Sequence, residues 1–267
     1  MLAFFFKKNL CDGWDNLFTI IVSNVFSLAL FVAAVAGIVF AQGVHPLLGA
    51  VTVVVASGIV MIPVFAWGAN ARKIADFNTP SLPIFFRTIA SVWRTAFVFG
   101  ALVALLFLVA LVGIRYYVEL FHGLLGLLLA SFIFWFLVVS LLSLQWVIPF
   151  YFLQEENSLV KSVKKGYIIF FDNPVFSVVI FAYNLLLLAI SVVLFFLVPG
   201  ASGMTLAATN ALRLRLYKYD WIERMNETDS TFASNRRRAA VPWSELLAED
   251  REALGPRPLR SFLFPWK

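Results

Sequence analysis

Charge is what this chain has least of. Of 267 residues, only 13% are Asp, Glu, Lys or Arg, while 61% are hydrophobic. A soluble domain carries about 25% charged and about 45–50% apolar residues, so water cannot be the only solvent for this surface. A mean hydropathy of +0.89 agrees. Cysteine is nearly absent: Cys11 stands alone, which excludes an intrachain disulfide and a multi-cysteine zinc site. Histidine is almost as scarce. His45 and His122 have no carboxylate cluster near them to complete a metal site. No Asp, Glu, Lys or Arg falls in the middle of an apolar run, which argues against ion-coupled pumps, because these bind the coupling ion at depth. Glu155 and Glu156 follow the end of such a run, and neighbours on a helix face different ways, so they do not suit acid/base chemistry. No nucleophile, base, metal or cofactor set is legible. The expectation is a non-enzymatic protein without a cofactor.

What the chain does have is long uncharged stretches. A helix needs about 20 apolar residues to cross a bilayer. The pattern predicts an all-α polytopic membrane protein with spans over about 16–41, 46–70, 96–114, 125–153, 175–198 and 201–217. The sixth is weakly apolar, built of Ala201, Ser202, Gly203, Ala207, Ala208 and Thr209, and must take Arg213 and Arg215 at its end. Its Gly203–Ala207 pair suits close helix packing, and a re-entrant segment is the other reading. Two basic amphipathic stretches, Ser81–Thr95 and Ser158–Ile169, are expected as separate interfacial helices. Each follows an Ile-Pro pair, Ile62-Pro63 and Ile148-Pro149, which reads as a repeated unit of hairpin and basic helix. Residues 218–267 are expected as a largely flexible tail, with a short helix between Pro242 and Leu254 and interfacial aromatics at Phe262, Phe264 and Trp266.

Charge placement gives the orientation. The net charge is +6, but the basic residues sit in short pieces beside apolar runs, so nucleic acid is not the expected partner. With six spans, every one of the 21 Lys and Arg except Arg115 falls on one side. The positive-inside rule makes that side the cytoplasm. Both termini are then cytoplasmic, and the main partner is the lipid bilayer.

The polar residues inside the spans are the only candidate functional side chains. Ser23, Asn24 and Ser27 lie on the first span, Gln145 on the fourth, and Tyr183 and Asn184 on the fifth. A buried amide must be hydrogen-bonded. Either each bonds a neighbouring helix, worth about 0.6 kcal/mol, or Ser23, Asn24, Gln145 and Asn184 line a common polar cavity.

Several short features coincide. Asn24 lies in the first span, and Gly49-Ala50-Val51-Thr52 opens the second. Phe85-Phe86-Arg87 and Arg94 precede the third, and Pro149 and Asn173-Pro174 flank the second basic stretch. In these the chain resembles the YesL-like bacterial membrane proteins over roughly residues 10–220. The resemblance implies a place in the bacterial cytoplasmic membrane and genes beside carbohydrate-uptake ABC transporters. It implies no catalytic or binding residues. The resulting expectation is an accessory component of carbohydrate uptake, with ABC transporter subunits as partners. The alternative is a stand-alone facilitator of a small solute. The loop Glu155–Leu159 lacks the Glu-Ala-Ala…Gly pattern that docks a permease on its ATPase, so a permease subunit is not expected.

Overall fold

The computed structural model describes residues 1–155, 157–228 and 241–257, and all regular structure in them is helical. In chain order the helices are α1 (Leu2–Asp15), α2 (Leu17–Val44), α3 (Pro46–Ala75), α4 (Leu82–Leu120), α5 (Leu124–Leu144) and α6 (Val147–Leu153). They continue with α7 (Leu159–Asp172), α8 (Pro174–Val193), α9 (Gly200–Thr228), α10 (Trp243–Leu246) and α11 (Ala248–Leu254). Five segments are long and apolar enough to cross a membrane: α2, α3, α4, α5 with α6, and α8. The all-α polytopic class is therefore as the sequence implies.

The sixth expected span, α9, is not among these five. Its first half is buried nearly all round, from Gly200, Ser202 and Gly203 through Thr205–Leu212 to Leu214. It packs against α1, α2, α3, α6 and α8. A helix walled by protein needs small residues that admit close neighbours, not lipid-facing bulk. Ala207, Ala208 and Ala211 fill that role at 4% exposure or less. The low apolarity of α9 thus marks the centre of the bundle. Its start also lies beside Asn24, the eighth residue of α2, so about 30 Å of α2 extends past it toward Val44.

Two expected boundaries shift. The basic stretch Ser81–Thr95 is not a separate helix: α4 runs unbroken from Leu82 to Leu120, with a proline in its first turn. Nothing between Thr95 and Ala96 interrupts the backbone hydrogen bonding, and Phe85, Val92, Ala96 and Phe99 share one buried cluster with α3. Gly100 seats α4 on α3, since a Cβ there would run into the Ser57 carbonyl and the Met61 side chain. The second basic stretch is a separate helix, α7, capped by Ser158 accepting from the Lys161 amide at 3.3 Å. The two halves therefore do not repeat. α3 carries Pro63 within an unbroken helix, whereas the fourth segment breaks into α5 and α6 just before Pro149.

The boundary drawn at 217/218 falls inside α9, which continues to Thr228. Beyond it, α10 and α11 dock back onto the bundle. Leu247 is fully buried among Phe5, Leu212 and Leu214, so this part of the expected flexible tail is packed. Pro242 precedes α10 and Gly255 closes α11, but a turn at Leu247 divides the expected helix in two. Phe262, Phe264 and Trp266 lie outside the described residues.

Candidate functional site

The four expected polar residues do not converge. Asn24 and Ser23 serve the start of α9. That helix begins inside the protein, where its first amides have no water to bond. Asn24 Oδ1 accepts from the Ser202 amide at 3.0 Å, and its Nδ2 donates to the carbonyls of Leu197 and Pro199 at 2.9 and 2.8 Å. Ser23 Oγ and Ser202 Oγ share a hydrogen bond of 2.6 Å, and Trp67 Nε1 donates to the Ser202 carbonyl at 2.9 Å. Ser191 Oγ accepts the Gly200 amide at 2.9 Å. Gly200 has φ +58°, and any side chain there would strike the Asn24 amide. Asn24 is thus a helix cap supplied by another helix. Ser27 only bonds back to the Ser23 carbonyl. A cavity of about 180 Å³ beside Asn24 and Ser27 is otherwise lined by apolar groups such as Leu28, Phe31, Val64 and Met204.

Gln145 sits elsewhere, at the break between α5 and α6. Its Nε2 donates to the carbonyls of Leu142 and Ser177 at 2.9 and 3.0 Å, and its Oε1 is buried without a partner among the described residues. Trp146 reinforces the same joint, donating from Nε1 to Ser177 Oγ at 3.2 Å and stacking on Phe176 at 5.5 Å. Asn184, on α8, leaves its buried Oδ1 unpartnered among the described residues. His45 caps α3 by accepting the Leu47 amide on Nδ1.

The densest polar chemistry lies where the sequence reading did not look. Lys8, one of the basic residues that the charge count places on the cytoplasmic side, is fully buried on α1. Its Nζ pairs with Asp12 Oδ2 at 2.9 Å, one helical turn on, and lies 3.7 Å from the ring centre of Phe77. Asp12 also accepts from Asn210 Nδ2 on α9 at 2.9 Å. Asn210 donates to Asn9 Oδ1 at 3.3 Å, and Asn9 donates to the Tyr183 hydroxyl on α8 at 3.0 Å. Arg213, 5.7 Å from the Phe77 ring centre, ties three chain segments together. Its Nε donates to Asp76 at the end of α3 at 2.8 Å, and its two terminal nitrogens grip Asp250 of α11 at 2.7 and 3.2 Å. Tyr217 adds a hydrogen bond to Asp250 at 3.1 Å. Phe77 holds a left-handed backbone, φ 57°, and its ring meets both cations.

Desolvation dominates the electrostatics of this knot. Burial pushes the Asp12 carboxyl above the usual carboxylate range and the Lys8 ammonium below the usual lysine range, each against the pull of the other. The charges persist because each is matched by a partner of opposite sign and by amide hydrogen bonds. The arrangement ties α1, the α3–α4 turn, α8, α9 and α11 into one unit, with α1 and α11 at the same end of the molecule. Arg257 extends the tie by pairing with Asp15 of α1.

The fold and these contacts define a class: an all-α multi-pass membrane protein whose buried polar groups hold helices to one another. Compared with protein-family models, curated proteins and solved structures, the chain matches none.

Proposed function

We propose that this chain is a multi-pass protein of the bacterial cytoplasmic membrane, with both termini in the cytoplasm, acting as a non-enzymatic accessory component of carbohydrate uptake. In this reading it meets ABC transporter subunits through its basic end. The observation that carries the proposal is the knot around Asp12, Asn210 and Arg213. It makes the N-terminal helix, the end of α3, α9 and the C-terminal segment into a single rigid face. A preformed face binds a partner without first ordering itself, which lowers the entropic cost of association. Exposed Lys161 and Lys164 on α7, and Arg87 and Arg94 on α4, sit on segments that leave the same end. The positive-inside rule supports placing that end in the cytoplasm. The carbohydrate link rests on the resemblance to YesL-like proteins.

Affinity purification of the tagged protein from native membranes tests this reading. Transporter subunits are expected to co-purify, and a deletion strain is expected to lose sugar uptake. Recovery of the protein alone, with uptake unchanged, would overturn the proposal. Faster sugar entry into liposomes holding only this protein would favour the facilitator instead.

A further inference from the structure

A cavity of about 560 Å³ opens at the start of α8. Leu2, Val175 and Val179 give it an apolar wall, and Val175 is 75% exposed on the outer face of α8. That wall belongs to a segment long and apolar enough to cross the membrane, so it continues into the region where acyl chains lie. The other side is polar. Arg215 lines it from α9, with Trp243 of α10 and Asp172 at the end of α7.

Arg215 differs from its neighbour Arg213. Arg213 is matched by two carboxylates. Arg215 is held differently: its guanidinium faces the Phe176 ring at 5.2 Å and bonds the Tyr219 hydroxyl, with Asp172 near by, while its buried Nε has no hydrogen-bond partner among the described residues. The Tyr219 hydroxyl beside it donates to Asp172. An arginine held this way, at the foot of an apolar helix wall and beside an indole, has the chemistry that recognises a phosphate ester carrying acyl chains. Arginine can bind such a phosphate through two parallel N–H groups, and tryptophan favours the level of the headgroups.

We propose that this cavity binds the headgroup of an anionic phospholipid, with Arg215 contacting the phosphate and the α8 wall receiving the chains. Asp172 opposes the anion, which gives the site a second, opposite lever. The inference needs only the bilayer embedding and is independent of the proposed partner.

Native mass spectrometry of the purified protein in neutral detergent, titrated with phosphatidylglycerol and with phosphatidylcholine of the same chains, tests it. Phosphatidylglycerol is expected to bind the wild type more tightly. Arg215→Gln is expected to weaken that binding about tenfold, the scale of one lost charge-assisted contact. Val179→Trp keeps every charge but fills the apolar wall, and is expected to weaken both lipids. Asp172→Asn is expected to tighten phosphatidylglycerol, a change that damaged folding would not produce. Millimolar inorganic phosphate is expected not to compete. The proposal is overturned by equal binding of the two lipids, by an unchanged Arg215→Gln variant, or by phosphate displacing the lipid, which would make this a simple ion site.

Discussion

Replacing Asp12 by asparagine removes one charge of a buried pair and leaves the other. Lys8 would then hold an ammonium in a site with no exposed surface. Breaking a buried ion pair from one side costs about 3–5 kcal/mol. The Phe77 ring, 3.7 Å from Nζ, still faces the cation, so the loss belongs at the lower end, about 3 kcal/mol. The asparagine can still accept from Asn210, so the amide contacts are not what is tested. Removing the second charge as well, in Lys8→Met/Asp12→Asn, is expected to bring stability back to within about 1 kcal/mol of the wild type, because a charge-free buried pair needs no solvation. Denaturant or thermal unfolding of the detergent-purified protein supplies the double-mutant cycle. The pH dependence has a fixed sign. In Lys8→Met, the Asp12 carboxyl is raised further by losing its cation, so the folded state holds its proton more tightly than the unfolded chain. That variant should gain stability as the pH falls from neutral. In Asp12→Asn, the lowered Lys8 favours the neutral amine, so stability should rise with pH above neutral. A double variant as unstable as Asp12→Asn, or an Asp12→Asn within about 0.5 kcal/mol of the wild type, would refute the view that this pair is desolvated.

The other contacts give sharper single tests. Asn24→Ala leaves the Ser202 amide and the carbonyls of Leu197 and Pro199 without their partner, a loss of about 2–4 kcal/mol measured by thermal unfolding. Asn184→Leu should be neutral to within about 1 kcal/mol, since its buried Oδ1 has no partner among the described residues to lose; a cavity-lining role would instead show as altered solute flux in liposomes. Gly166→Ala sets a methyl 2.6 Å from the Ser143 carbonyl, and the forced separation of α7 from α5 should cost about 1–3 kcal/mol in the same assay.

The spans were legible because lipid-facing helices must be apolar all along their length, and α2, α3 and α8 start and end within a few residues of the apolar runs. The same logic hid α9. Its residues answer to neighbouring helices rather than to lipid, so the run Ala201–Leu212 reads as a poor span although it is the best-enclosed helix of the bundle. Asn24 was legible as a buried amide needing partners, but not as a cap, because Ser202 lies 178 positions away. Lys8 and Asp12 misled for a different reason. Charges beside an apolar run ordinarily mark its exit into water, and nothing local reveals that Asn210 and Phe77 fold back over them. The four-residue spacing of Lys8 and Asp12, amid Phe4, Phe5, Leu10 and Trp14, was the available signal for an amphipathic helix. The α4 fusion was missed because Arg87 and Arg94 suggested an interfacial break, yet their hydrophobic neighbours Phe85 and Val92 continue the α3 contact without one.

The proposed orientation, with both termini in the cytoplasm, is tested directly by cysteine accessibility. In a Cys11→Ser background, single cysteines replace Gly43 at the end of α2 and Gly123 in the α4–α5 turn, or exposed Thr79 and Lys164 at the basic end. An impermeant thiol reagent added to intact cells is expected to label the first pair and to reach the second only after the membrane is opened. Labelling of Thr79→Cys or Lys164→Cys in intact cells, with Gly43→Cys and Gly123→Cys protected, would invert the orientation and contradict the proposed cytoplasmic face.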